Sequence, residues 1–352
     1  MADPTVIQHL KLGVVVCDQA ISSLKDRPRS QDALPPDLAV VHKDFISLLS
    51  LLYAATTKLS LALKPSSPTY NASVTPLKDI TAHVNALAHC TGLFDGATLQ
   101  KEVSSTATGV IESVRDLLQT FLDIDSSNDR ENNTGQAGDL YLVKTGAVHH
   151  QIDRARSNGG LSQSNIDAVG KILLQNQGSL DDAVAEAKEL LADHENPEDI
   201  DDGWDELGIT SPEFTKEELE QMRKVHLILR MSSLLHGRIR TDLLSSDGVD
   251  TLDLTTLDEF PPLSQKLQVA FDEMVAMLYL RVPEDAAAEC RSFQELVGQL
   301  RTQCQPWYPP SEPSPPDANG KKRKNIEKWF TTCFDQLEKA LNDLLTTLEQ
   351  SS

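Results

Sequence analysis

Residues 193–214 read DHENPEDIDDGWDELGITSPEF, and this acidic stretch interrupts a chain that is otherwise patterned as helix. Nine of its residues are Asp or Glu, and no Lys or Arg occurs between Lys188 and Lys216. The stretch therefore holds a large part of the formal net charge of -21. On both sides, apolar residues recur every three to four positions, which is the period of a helix with one buried face. We expect two helical parts joined by residues 193–214, which we call the acidic connector.

The apolar period predicts ten helices and no strand, so we expect an all-α protein. A chain of 352 residues is long enough for roughly two domains. We therefore predict a bundle of about six helices over residues 1–192 and a bundle of about four helices over residues 215–352. A proline-rich loop at residues 305–320 interrupts the second bundle, because proline cannot continue a helix.

Local signals indicate where several of these helices begin. Thr215 and Glu218 form a capping-box pattern, so a helix is expected to start directly after Thr215. Ser164 carries the same kind of signal for the helix that precedes the connector. Thr75 followed by Pro76 suits the cap and first position of the third helix.

The composition excludes several classes of function. A pI near 4.7 argues against direct binding of nucleic acid, which needs a basic face, and against an anionic membrane surface. The longest uncharged apolar run, residues 45–57, is too short to span a bilayer. The N-terminus has no secretory signal pattern, and the five cysteines are widely spaced without a C-x-x-C pair. We expect free thiols in a reducing compartment.

The sequence contains no catalytic motif, so we expect a protein that is not an enzyme and needs no cofactor or metal. A glycine loop for phosphate, a G-x-S-x-G elbow and an H-E-x-x-H helix are all absent. His149 and His150 are the only adjacent histidines. Neighbours on a helix point about 100° apart, so this pair is expected to lie at the surface or its boundary rather than to share a metal ion.

The acidic connector contains three apolar residues that point to docking, namely Trp204, Leu207 and Ile209. Mixtures of acidic and apolar residues can dock in a groove with a basic rim, either on a partner or on the same chain. A solvated linker, whose charge keeps the two halves apart, is the plain alternative.

Two further groups of residues suggest regulation. Lys321, Lys322, Arg323 and Lys324 form the one basic cluster, which fits a nuclear import signal or a solvated basic patch. Ser67, Ser211 and Ser314 each precede proline in predicted loops and are candidate phosphorylation sites. For Ser211, as for Thr75, a turn or helix start is the competing structural interpretation.

The order of these parts resembles the Grap2 and cyclin-D-interacting family of cyclin-D-binding proteins. Four segments carry the resemblance. They are YAATTKLSLAL (Tyr53–Leu63), the D-D-x-x-x-x-L-G pattern from Asp201 to Gly208, LILRMSSLL (Leu227–Leu235), and the closing W-F-x-x-C-x-x-x-L-x-K helix from Trp329.

This resemblance implies an all-helical protein of two bundles, similar in architecture to talin and vinculin rod bundles. It also implies a non-enzymatic scaffold or negative regulator in nucleus and cytoplasm, with D-type cyclins or helix-loop-helix transcription factors as partners. A cytoskeletal or adhesion-type bundle of the vinculin kind remains the alternative function.

Overall fold

The computed structural model describes residues 3–25, 37–126, 139–195, 214–244, 254–280, 283–308 and 326–351. All regular structure in these ranges is helical, and no strand occurs there, which confirms the predicted all-α class. The described ranges contain ten helices of 17 residues or more and one helix, α8, of four residues. The helices are α1 (Pro4–Lys25), α2 (Leu38–Ala62), α3 (Tyr70–Cys90), α4 (Ala97–Ser126), α5 (Leu140–Arg156), α6 (Asn165–Glu195), α7 (Lys216–Arg238), α8 (Leu254–Leu257), α9 (Phe260–Leu280), α10 (Pro283–Cys304) and α11 (Ile326–Ser351).

The chain forms two compact units, Met1–Ala168 and Val169–Ser352. In the first unit, five helices form a closed ring in which α1 packs on α4, α4 on α5, α5 on α2, α2 on α3, and α3 on α1. Each of these helices contributes large aliphatic side chains to one shared core. The centre of that core is fully buried and includes Phe45, Leu49, Leu52, Val84 and Leu117.

The second unit is built from the rest of α6 and from α7 to α11. Helix α10 packs on α9 and α11, while α7 packs on α11 and α9. Arg301 on α10 pairs with Asp335 at 2.8 Å and with Glu338 at 2.9 Å on α11. The core contains the aromatic pair Phe271 and Phe293, whose ring centroids are 5.9 Å apart.

Helix α6 is placed differently from the sequence prediction, which assigned all of it to the bundle of residues 1–192. The contacts divide the chain between Ala168 and Val169, within the first turn of α6. The reason is a set of polar contacts that apolar periodicity does not reveal. Asn176 bonds to Ser264 on α9 at 2.8 Å, and Gln177 bonds to Ser233 on α7 at 2.7 Å.

The predicted start of the third helix at Thr75 is wrong. Helix α3 begins at Tyr70 and includes Pro76. Proline is tolerated near a helix start because the first four N–H groups of a helix have no intrahelical partner, but Pro76 is the seventh residue. Because proline has no N–H, residue 76 cannot donate the usual hydrogen bond to the carbonyl of residue 72, and α3 lacks that backbone bond. The pattern of Thr75 followed by Pro76 therefore does not mark the start of α3.

Two of the predicted capping signals are confirmed. The Thr215 hydroxyl accepts a bond from the Glu218 N–H at 3.2 Å, and the Glu218 carboxylate accepts from the Thr215 N–H at 2.7 Å. Helix α7 accordingly begins at Lys216. The Ser164 hydroxyl likewise accepts from the N–H of Asp167 at 3.2 Å, at the start of α6.

Within the described residues, α2 is long and apolar enough to cross a membrane, judged by length and composition alone. The uncharged apolar run of residues 45–57 is only part of this helix, which extends over 25 residues. This is weak evidence for a membrane segment, because the core helix of a soluble protein has the same properties. Fully buried Phe45, Leu49, Leu52 and Leu59 pack one face of α2 into the first unit.

Candidate interaction surface

Helices α2 and α5 run antiparallel and are joined by hydrogen bonds between hydroxyl and imidazole groups. The hydroxyls of Ser60 and Thr145 lie 2.6 Å apart, and both residues are buried. About one turn away on each helix, the Thr57 hydroxyl lies 3.0 Å from Nε2 of His149. Because residue numbers rise along α5 as they fall along α2, these contacts fix the direction and the register of the pair.

The aromatic contact between Tyr53 and His149 reinforces the same register. The two rings stack with centroids 3.7 Å apart and an interplanar angle of 12°. Burial lowers the pKa of His149 from its usual value, although Asp153 and the Tyr53 backbone act in the opposite direction. His149 is half-buried and His150 is exposed, so the adjacent histidines have different environments. Sequence reasoning missed this contact, for which the only signal is that Tyr53 and Thr57 share one face of α2.

An apolar surface lies beside this contact, on the outer faces of α2 and α5. Leu61 follows Ser60 directly and is 71% exposed, while Leu142 and Val143, just before Thr145, are 52% and 65% exposed. These residues therefore lie at similar levels of the two antiparallel helices. We call Leu61, Leu142 and Val143 the α2–α5 surface.

Small residues continue this surface along α5. Gly146 and Ala147 follow within one turn, and both are exposed. A Cβ added at Gly146 would have no heavy atom within 4 Å, apart from its chain neighbours and the nearby backbone of α5 itself. The outer face of α5 is thus low and apolar at this point, which would let another helix approach closely.

A separate polar groove of about 340 Å³ lies in the first unit. Its lining includes Lys25 and Lys101 together with the hydroxyl groups of Thr91, Ser104 and Ser105. These side chains include no carboxylate and no imidazole to act as a general base.

The second unit contains a buried polar network centred on His236. Its Nδ1 lies 2.7 Å from Oε1 of Gln177, and its Nε2 lies 2.7 Å from the Ser264 hydroxyl. The Gln177 amide donates to the hydroxyl of Ser233 at 2.7 Å, and that hydroxyl donates to Asp181 at 2.6 Å. The network joins α6, α7 and α9 through hydrogen bonds among these groups.

Among the candidate phosphorylation sites, only Ser67 lies in the described residues. It is exposed in the turn between α2 and α3, and its N–H donates to the carbonyl of Lys64 at 3.0 Å. Ser211 and Ser314 lie outside the described residues. The same holds for the docking candidates Trp204, Leu207 and Ile209 and for the basic cluster Lys321, Lys322, Arg323 and Lys324.

The cysteines match the expectation of free thiols. All five are free, and Cys17, Cys90, Cys290 and Cys304 are buried. Burial raises the pKa of the half-buried Cys333 thiol to about 11, so even this thiol stays protonated near neutral pH. Within the described ranges, no cluster of three or more His, Cys, Asp or Glu side chains is arranged to hold a metal ion.

Comparison with known proteins identifies one family. Residues 44–193, less than half of the chain, match the family model described as Grap2 and cyclin-D-interacting, N-terminal. No curated protein matches the chain. The matched segment contains most of α2 and runs to the end of the predicted first domain, so it includes the whole α2–α5 surface. The resemblance that the sequence suggested is confirmed for this segment: residues 44–193 match the N-terminal domain model of the Grap2 and cyclin-D-interacting family.

Proposed function

We propose that this protein is a non-enzymatic interaction protein that acts as a negative regulator or scaffold in cell-cycle and transcriptional control. The observation that carries the proposal is the match of residues 44–193 to the Grap2 and cyclin-D-interacting model. The proposed partners are D-type cyclins, with helix-loop-helix transcription factors as a second class. The partner contact is assigned to the α2–α5 surface, because its exposed apolar side chains lie within the matched segment.

The shape of this surface suits a helix of the partner. An amphipathic helix binds by laying its apolar face into a groove between helices. Leu61 on α2 and Leu142 on α5 are exposed on neighbouring helices, and the small residue Gly146, one turn after Leu142, keeps α5 low beside them. Burial of exposed apolar side chains is the dominant favourable contribution in most protein–protein association.

Affinity capture with the full chain tests which class of partner it binds. The chain and a variant with L61E and V143E are captured in parallel, since both positions are exposed and the changes should leave the fold intact. The variant L12E, at a position on α1 that is 50% exposed, is the control. Cell-cycle or transcription proteins lost only from the double variant support the proposal. Actin or junction proteins captured by all three would instead favour the cytoskeletal alternative.

We also propose that the protein divides between nucleus and cytoplasm, with Lys321, Lys322, Arg323 and Lys324 as the import signal. The cluster is the one concentration of basic charge in a chain of net charge -21. Import receptors recognise such short basic runs by charge. Replacing the four residues with alanine in a fluorescent fusion is expected to reduce the nuclear fraction. An unchanged distribution would contradict this role and leave a solvated basic patch.

A further inference from the structure

Helix α7 has an outer face that carries both apolar and basic side chains. Lys216, Arg223, Leu227, Arg230 and Leu234 are all exposed, and their spacing of seven, four, three and four residues puts them on one side of the helix. We call these five residues the α7 stripe. Leu227 is 48% exposed and Leu234 is 56% exposed, while Val225, Ile228, Leu229 and Leu235 on the opposite side are buried.

The charge of the α7 stripe is opposite to that of the whole chain. It contains three cations, and among the acids of α7 itself Glu220 is the one on the same face, paired with Arg223 at 3.2 Å. The chain as a whole has a formal net charge of -21. An exposed face with two leucines and three cations is suited to a ligand that is both acidic and apolar.

The acidic connector is such a ligand, and it is covalently attached next to the stripe. Its last residue, Phe214, lies two residues before the first residue of α7. Trp204, Leu207 and Ile209 stand among Asp201, Asp202, Asp205 and Glu206, so the connector supplies both kinds of group that the stripe requires. Attachment to the same chain also keeps the effective concentration of the connector high, of order millimolar for short flexible linkers.

The lengths of the two segments are compatible. Leu227 and Leu234 lie about 17 Å and 27 Å along the axis from Lys216, at 1.5 Å per residue. Ten residues separate Trp204 from Phe214, and an extended chain of that length reaches about 33 Å. In a polyproline-II conformation, with three residues per turn, Trp204 and Leu207 share one face about 9 Å apart, which is close to the separation of Leu227 and Leu234 along the helix.

We propose that the acidic connector folds back on α7 and binds the α7 stripe, with Trp204 and Leu207 on the two leucines and the neighbouring acids on the arginines. The α7 stripe is then an interaction surface whose resident occupant belongs to the same chain. This contact does not depend on the proposed cyclin-type function, because it uses residues of the second unit and of the connector only.

Disulfide trapping in the full chain tests this proposal. Cysteines are introduced by D205C in the connector and R230C in the stripe, which leaves all the apolar contact residues in place. The native thiols interfere little, since four are buried and burial raises the pKa of Cys333 to about 11. With oxidised glutathione at pH 8, the pair is expected to form an intramolecular disulfide at least about fivefold faster than the pair D205C and V269C, given the higher local concentration at the stripe.

Val269 is a matched control position, because it is 55% exposed and also lies in the second unit. A second control adds L227D and L234D to the D205C and R230C chain, and it is expected to remove the advantage. Equal rates for the two pairs, or a rate that L227D and L234D leave unchanged, would overturn the proposal. A rate that rises with protein concentration would also overturn it, because the occupant would then be a second copy of the chain.

Discussion

His236 has different partners at its two ring nitrogens, and these partners define its tautomer. The ring is only 1% exposed. Oε1 of Gln177 can only accept a hydrogen bond, so Nδ1 of His236 carries the proton and donates to it. Nε2 then accepts from the Ser264 hydroxyl, whose oxygen accepts in turn from the amide of Asn176 at 2.8 Å. Every group is satisfied while the imidazole is neutral.

The neutral state of His236 makes the second unit sensitive to acid. Burial lowers the pKa of His236 from 6.5 to about 4, with Asp181 opposing the shift and Arg240 adding to it. The unfolded chain therefore binds the proton first as pH falls, so the free energy of unfolding should decrease below pH 6.5 and level off near pH 4. A shift of this size corresponds to roughly 3 kcal/mol at most.

Urea unfolding of the full chain between pH 7 and pH 4 measures this dependence. The variant H236Q removes the titrating group and is expected to flatten the profile over this range, relative to the wild type. H150Q is the control, because His150 is exposed on α5. If H236Q and the wild type lose stability in parallel, another group is responsible for the acid sensitivity.

Gly96 is a second position at which one residue decides local structure. It has a φ of 88°, and a Cβ there would collide with the Asn165 side chain. The Oδ1 of Asn165 accepts a hydrogen bond from the Leu99 N–H at 2.9 Å and so caps the start of α4. We expect G96A to lower the free energy of unfolding of the first unit by about 1–3 kcal/mol, from backbone strain and a displaced cap.

Replacing Gly146 with alanine is a control for which we expect the opposite change in stability. It lies in the middle of α5, where an added Cβ meets no atom within 4 Å. Alanine is the better helix former by roughly 0.5–1 kcal/mol, so G146A should stabilise the first unit. Thermal unfolding of both variants by circular dichroism measures the difference. A G96A chain as stable as the wild type would show that Asn165 can move aside without loss.

At the scale of single elements, α7 shows how far local sequence determines a boundary. The capping box at Thr215 and Glu218 involves residues three apart, so its signal is complete within the sequence, and the helix starts where it predicts. The predicted start of α3 is wrong because the true start has no such local signal. Residues 70–75 carry no strong helix-start signal, and the Thr69 side chain makes no cap bond, yet packing of buried Ser73 and Leu77 extends the helix ahead of Pro76.

The capping box predicts a measurable loss of stability. T215A removes the hydroxyl that accepts from the Glu218 N–H and should cost about 0.5–2 kcal/mol in the second unit. T332A is the matched control, since the Thr332 hydroxyl bonds only to the carbonyl of Lys328 within α11 and is exposed. Urea unfolding measures both. Equal losses would mean that the cap contributes nothing beyond an ordinary exposed threonine.

At the scale of the whole molecule, the family match and the packing of the helices place the end of the first domain at different residues. The family match ends at residue 193, next to the predicted end of the first domain at 192. The contacts divide the chain at Ala168 and Val169. Most of α6 thus belongs to the family segment by sequence and to the second unit by packing. The assignment by packing was not predictable, because Gln177 and its partner Ser233 are 56 positions apart.

The α2–α5 surface could be predicted only in part from the sequence. The apolar period located both helices, but it counts Leu61 and Leu142 as apolar without showing which side of each helix meets solvent. Their exposure follows from the register set by Ser60, Thr145 and His149, which pairs two helices about 85 residues apart. The proposed function rests on the family resemblance and not on any local motif, because binding surfaces of this kind have no fixed residue pattern.

We propose that the first unit binds a D-type cyclin through the α2–α5 surface. Calorimetric titration of the purified full chain with a purified D-type cyclin tests it most directly. We expect saturable binding by the wild type and by L12E, and binding at least about tenfold weaker, or about 1.4 kcal/mol, for the chain with L61E and V143E. The absence of binding by the wild type, or equal affinity for all three chains, would contradict it.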